Sequence, residues 1–213
     1  MRRVFSILVL VISSLSLFGQ SAQEIVAGYT GAISSFDCLY ATYNFSIVGQ
    51  DGNTRFAING EFYNQSDKFL VKTYFSDIYC NGEYKAVHDK SVQEISLLEH
   101  HKENVSMIEN PFAVLKSGME MYTLEESVKS VTYDAAECWE VTLVPVSDKA
   151  DHTSVSVAVV KSDFSVKNIS YMSRTGDTYN ALVYTISESG RKRASFFEPD
   201  LDSMPDVGVN DLR

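Results

Sequence analysis

Residues 39–65 read LYATYNFSIVGQDGNTRFAINGEFYNQ, and this stretch decides the fold class. Leu39, Ala41, Tyr43, Phe45 and Ile47 alternate with Tyr40, Thr42, Asn44 and Ser46. A period of two is what a strand with one apolar face produces. Gln50-Asp51-Gly52-Asn53 is turn chemistry. Phe56, Ile58, Gly60 and Phe62 then resume the alternation, with Arg55, Asn59 and Glu61 opposite. Two such strands joined by a short turn form an antiparallel hairpin whose apolar side chains share one face.

The pattern continues toward the C-terminus. Asn64-Gln65-Ser66-Asp67 turns the chain and residues 68–75 make a third strand. Residues 77–80 and 84–88 flank Asn81-Gly82, which predicts a tight hairpin with both turn residues at positive φ. Residues 92–98 form a further strand. The alternation stops at residues 110–118, where Asn110 can cap a short helix, Pro111 suits its first turn and Gly118 its C-terminal left-handed position. Strands are expected again over 131–133, 138–145, 154–160, 166–173 and 178–186, with turns at 174–177 and 187–190. The acidic tail 198–213 carries Pro199 and Pro205 and reads as solvated surface. On the N-terminal side, Ile25, Val26, Tyr29, Ala32, Ile33 and Phe36 recur at helical spacing. A long antiparallel sheet must curl to protect its edges and cover its apolar face. The class is α+β, mostly β, with short helices in the concavity of one curved sheet.

Composition excludes several functions. The chain of 213 residues has 18 basic and 28 acidic residues, a net charge of −10. No basic face is available to displace counterions from nucleic acid, or to hold an anionic membrane as a permanent partner. Arg2 and Arg3, the apolar run 4–12 and the small polar stretch 13–23 follow the order of a secretory signal, with cleavage expected near Ala22. The remainder, 23–213, is one expected domain, exported and diffusible. Cys38, Cys80 and Cys138 would then meet an oxidising compartment. They are either three small buried hydrophobes or one disulfide, a pair among the three, with a free thiol. Glu99-His100-His101 with Glu103 lacks the spacing of a helical zinc site, and no metal is expected. No nucleophile elbow, phosphate loop or paired-carboxylate arrangement marks a catalytic residue, so no enzyme and no cofactor are expected. Trp139 reads as core or rim packing.

Five stretches together resemble the periplasmic lipoprotein-carrier family of LolA-like proteins. They are the junction from Ser35-Phe36 through Ala41 and Tyr43; Gly60-Glu61-Phe62 followed by Phe69; residues 77–84 around Asn81-Gly82; Asn110 to Leu115; and Phe196-Phe197-Glu198-Pro199 with Gly208 to Asp211. The resemblance implies an unclosed antiparallel β-barrel covered by helices, with an apolar cavity for acyl chains. It implies a monomeric periplasmic carrier of acylated lipoproteins or lipids, with an inner-membrane export complex and an outer-membrane receptor as partners. The family's turn after the Gly-x-apolar strand carries a basic residue and a proline that help gate the cavity. Here the turn at Asn64-Gln65 has neither, so the resemblance supplies no gating residue.

An acyl chain is held from water by about 0.8 kcal/mol per buried methylene. A soluble carrier must therefore offer an apolar wall of similar quality. Tyr43, Phe45, Ile47, Phe56, Ile58, Phe62 and Phe69 are the expected cavity wall, and Ile25, Tyr29, Ile33, Phe112 and Leu115 the expected lid. Such stripes also make ordinary solid core, and sequence leaves both open. The alternative function is a lipid- or peptide-sensing module of the same fold that binds a signalling protein.

Overall fold

A computed structural model describes residues 20–101, 107–117 and 120–213. The expected signal segment lies almost wholly outside them. Helix α1, Ala22–Ser34, is followed by β1, Leu39–Val48; β2, Thr54–Gln65; β3, Lys68–Thr73; β4, Ser76–Cys80; β5, Tyr84–Asp89; and β6, Glu94–Glu99. A short helix α2, Val114–Ser117, precedes β7, Tyr122–Tyr133; β8, Ala136–Pro145; β9, His152–Val160; β10, Val166–Ser173; β11, Thr178–Glu188; and β12, Gly208–Asp211. Two single 3-10 turns, Ala194–Phe197 and Leu201–Ser203, lie between β11 and β12.

All twelve strands form one sheet in the order β12-β6-β5-β4-β3-β2-β1-β11-β10-β9-β8-β7. Its two end strands do not pair, so the curved sheet that the pattern predicts is an unclosed barrel, as the LolA-like resemblance implies. Pairing is antiparallel except for β12 along β6. Register is set by the apolar face: Ala41 faces Phe62, Tyr43 faces Gly60 and Phe45 faces Ile58 across β1 and β2. On the other side β1 meets β11, with a bulge between Thr42 and Tyr43 that sharpens the local twist.

This alternation sends two rows of side chains to opposite sides. On the concave side, Leu39, Ala41, Tyr43, Phe45, Phe62, Phe69 and Val71 join α1 and the valines of β8 and β9 in the main core. On the convex side, Tyr63, Leu70 and Tyr79 are covered by Phe196 and Phe197, with Cys38 beneath them. The 3-10 turn Ala194–Phe197, just before the acidic tail, roofs the convex face. The tail itself is mostly exposed, and its last residues add a strand along β6, where Asn210 Nδ2 also donates to Glu94 at 2.7 Å.

Helix α1 is weak by composition, with Gly28 and Gly31 inside it. Two things hold it. Ser21 caps it, taking the Glu24 N–H while Glu24 takes the Ser21 N–H, a reciprocal box. Ile25, Val26, Tyr29 and Ile33 are then buried against the sheet. Gly28 is needed there for another reason: a Cβ would sit 2.3 Å from the Phe164 ring, which also packs on Trp139.

Two expectations are corrected. The helix expected over 110–118 is only Val114–Ser117, because Asn110–Ala113 form a turn, with the Ala113 N–H bonded to the Asn110 carbonyl. Gly118, its expected terminator, lies outside the described residues. In the 81–83 turn only Gly82 has positive φ, +92°. Asn81 instead accepts the N–H groups of Glu83 and Tyr84 on its side-chain oxygen.

Candidate functional site

The strands point alternately to two rims. The upper rim is where β1 ends and carries the turns 49–53, 74–75, 90–93, 146–151 and 174–177. The lower rim is where β1 begins and carries the turns 66–67, 81–83, 134–135 and 161–165. The chain leaves β6 at the lower rim and enters β7 at the upper rim on the far side of the sheet. This strap must cross the concavity. Its described residues Met107, Phe112, Val114 and Leu115 are all buried in the concave core.

Phe112 fills the lower half of the concavity. Its ring stacks on Phe62 at 4.7 Å between centroids and meets Tyr43 edge-on at 5.3 Å. Phe62 in turn packs on Phe69 at 6.5 Å. Ile25, Tyr29, Ile33 and Leu115 close the same core and are all buried. The expected lid and the lower part of the expected wall are thus brought together, with Phe112 seated in the wall as a plug.

The upper half is different. Phe45 is buried, but Ile47 and Ile58 are half-buried, and Phe56 is 40% exposed. Phe45 stands between Phe56, at 6.5 Å, and Tyr179 of β11, at 6.2 Å. These side chains line a concave apolar surface that no described strap residue fills with a ring. Beside it lies a cavity of about 230 Å³ between Met107 and Ile108 of the strap and Asp151, Ser173, Arg174, Thr175 and Tyr179 of the rim. A second hollow, about 390 Å³, is walled by Thr42, Tyr43, Asn59, Glu61, Lys72 and Tyr184 among others.

Tyr171 of β10 stands outside the expected wall and lid, and it holds the strap. Its hydroxyl donates to the Pro111 carbonyl at 3.1 Å and meets the Val114 backbone N–H. It therefore pins the turn on both sides of Phe112. Asn110 Oδ1 accepts the Phe112 N–H at 3.2 Å and sets the same turn from within. Complete burial drives the Tyr171 phenol well above its ordinary pKa, so it stays a donor at every working pH. Behind it, His152 stacks on Tyr122, Nε2 to the Tyr122 hydroxyl at 3.1 Å and Nδ1 to Asp151 at 2.7 Å. Burial pushes Tyr122 up to about 12.

The turn that lacks the basic residue faces elsewhere. Gln65 exchanges two hydrogen bonds with the Lys192 backbone, at 3.2 and 2.7 Å, on the tail side of the sheet. Cys38, Cys80 and Cys138 are buried free thiols. Burial raises the pKa of Cys80 and Cys138, which keeps them inert. His101 meets Glu99 at 3.3 Å, while Glu103 lies outside the described residues. Among the described residues no group of three possible ligands could hold a metal, and no helix is long and apolar enough to cross a membrane.

No protein-family model matches the chain, and no curated protein sequence matches it. Solved structures do. An uncharacterized conserved protein from Thermus thermophilus superposes with a TM-score of 0.53 at 10% identity, over 89% of this chain and 98% of that one. A DUF1329 family protein from Desulfovibrio piger gives 0.50 at 8% identity, over 86% and 97%. A LolA superfamily protein from Nitrosomonas europaea gives 0.45 at 11% identity, over 86% and 100%. At these identities the likeness is one of fold: the unclosed, curved antiparallel sheet that the LolA-like resemblance implies.

Proposed function

We propose that this protein carries the acyl chains of lipoproteins or lipids through an aqueous compartment, held against the concave face of its sheet. One observation supports this above the others. The concave face is apolar along its length, yet on β1 and β2 the ring of the described strap, Phe112, covers only the lower half. Phe45, Ile47, Phe56, Ile58 and Tyr179 leave the upper half open beside a cavity of about 230 Å³. An acyl tail that buries ten methylenes there gains about 8 kcal/mol, at about 0.8 kcal/mol each. That is enough to hold cargo in transit and too little to prevent its release.

A chain enters at the upper rim and lies along Phe45 and Phe56. To go deeper it must displace Phe112. The cost of unseating that ring and parting Tyr171 from Pro111 offsets part of the gain, which makes delivery reversible. Tyr171 thus takes the gating place for which the turn at Asn64-Gln65 has no basic residue. The compartment is the periplasm, and loading and unloading fall to an inner-membrane export complex and an outer-membrane receptor, as the LolA-like resemblance implies.

The test is uptake of a fluorescent fatty acid by the chain from Gln20 onward, in vesicle-free buffer. Saturable binding is expected, and Phe56→Asp, at a wall position 40% exposed, should abolish it without unfolding the protein. A natively folded wild type that takes up no fatty acid overturns the proposal. Native mass spectrometry of protein from its own envelope fraction identifies the cargo. Copurification of a regulator with no lipid would favour the sensing module.

A further inference from the structure

Twelve large hydrophobic residues are exposed among the described residues, and eight of them sit at or beside the upper rim. They come from separate turns and strand ends: among them Phe56 at the start of β2, Tyr74 and Phe75 between β3 and β4, Val92 between β5 and β6, Val146 after β8 and Met172 at the end of β10. Tyr74 is the most exposed of them, at 81%, and Phe75 beside it is 53% exposed. The lower-rim turns carry Ser66-Asp67, Asn81 to Glu83 and Asp134-Ala135 instead, and the one aromatic ring there, Phe164, is packed on α1 and Trp139. Chance scatter of surface hydrophobes does not separate two ends of one sheet in this way.

We infer that the upper rim is a docking surface for the interface of a zwitterionic lipid bilayer, with the Tyr74–Phe75 turn as its leading point. The inference rests on the carrier reading for its purpose but not for its geometry. Three features choose a bilayer over a protein groove. The apolar side chains stand on separate tips, an arrangement that a fluid surface accommodates and a shaped groove does not. They surround the open upper half of the concavity, so docking brings that mouth against the lipid. The rim is also electrically quiet: Arg55 pairs with Asp177 at 3.5 Å, Lys90 with Asp77 at 2.7 Å, and Arg174 is spent on the carbonyls of Ala150 and Asp148. Lys149, in the same rim, stands between Asp148 and Asp151, and a chain of net charge −10 gains nothing from anionic headgroups.

The leading turn is rigid before it meets lipid. Thr73 Oγ1 accepts the Ser76 N–H at 3.0 Å and donates to the Ser76 carbonyl at 2.8 Å. Lys90 donates through Nζ to the Thr73 carbonyl and through its backbone N–H to that of Phe75. The two rings rest edge to face at 5.0 Å. Aromatic side chains held this way suit the headgroup level of a bilayer.

The test is flotation of the unliganded protein with phosphatidylcholine/phosphatidylethanolamine vesicles. The wild type should partition, and Tyr74→Ser/Phe75→Ser should lower the partition coefficient at least tenfold. Val146→Ser/Met172→Ser, at the other side of the rim, should lower it several-fold. Replacing a third of the lipid with phosphatidylglycerol should not strengthen binding. Fatty-acid uptake in vesicle-free buffer should be unchanged in both variants. Equal partition of wild type and both variants overturns the inference, as does binding that appears only with the anionic lipid. Failure of fatty-acid uptake with vesicle partition intact would overturn the carrier reading and leave the rim standing.

Discussion

The two halves of the concave face are made of the same strands and the same residue types, yet one is closed and the other open. In the lower half, Phe62, Phe69 and Tyr43 are matched by Phe112, Leu115 and α1. In the upper half, Phe45, Ile47, Phe56 and Ile58 continue the same rows with no ring of the described strap set against them. The strands therefore do not decide where a cavity lies. The strap does, through the position of one ring and the hydroxyl that pins it. A carrier needs such a division: a closed half that keeps the empty protein folded, and an open half that accepts cargo.

The largest effect should come from removing the plug. Phe112→Ala empties a site where the ring is 3% exposed and stacked on Phe62. Truncating a buried Phe costs about 3–5 kcal/mol. Urea denaturation should show a loss of that size, with acyl binding tighter or of higher stoichiometry as the lower half opens. A stability loss with unchanged binding would mean that cargo never reaches the Phe112 site.

Tyr171→Phe is next. It keeps the ring and removes only the hydroxyl, which leaves the buried Pro111 carbonyl and Val114 N–H without that partner. An orphaned buried polar group costs about 1–3 kcal/mol. The variant should load fatty acid faster in stopped-flow mixing, because the strap opens more often. An unchanged loading rate would show that strap opening does not limit entry.

These two residues also mark the limit of what sequence disclosed. The period of two placed β1, β2 and β10 and the face that each presents, because one-sided burial imposes that period. It missed residues 122–130 of β7. That edge strand is exposed along most of its length, and a bulge between Leu124 and Val128 breaks its register. It also missed β12, whose four residues are all exposed and are held through backbone pairing. The residues of the expected wall and lid were legible as apolar rows, but their division into closed and open halves was not. That division depends on a strap that crosses the sheet and pairs with no strand. Tyr179 could have been found, since it alternates with Ala181 and Val183; Tyr171 gave no sign of its role, because a buried hydroxyl finds its partner only in three dimensions.

A smaller effect belongs to the rear wall of the closed half. In the chain from Gln20 onward, Ser21→Ala removes the cap of α1 and should cost about 0.5–2 kcal/mol, read as a lower melting temperature. Glu24 shares that cap, and its bonds from Ser21 lower its pKa from the ordinary 4.5. Its contribution is therefore present above pH 4.5 and fades as pH falls through the lowered folded value. The stability difference between wild type and Ser21→Ala should narrow below that range. A difference that stays constant to strongly acid pH would mean that the box does not form in solution.

The smallest change in stability should come with the clearest change in function. Phe56 lies at the open end, 40% exposed, and touches Phe45 only across 6.5 Å between ring centres. Phe56→Ser removes little packing, and surface substitutions of this kind usually fall within about 0.5 kcal/mol. Fatty-acid affinity should nevertheless drop severalfold, since the lost ring is part of the wall that meets the first methylenes of the chain. Set beside Phe112→Ala, the pair separates the two halves: one variant weakens the fold and spares or improves binding, the other spares the fold and weakens binding. If Phe56→Ser binds as the wild type does, the open half is not the entrance, and the acyl chain must approach from the side where α1 and the strap meet.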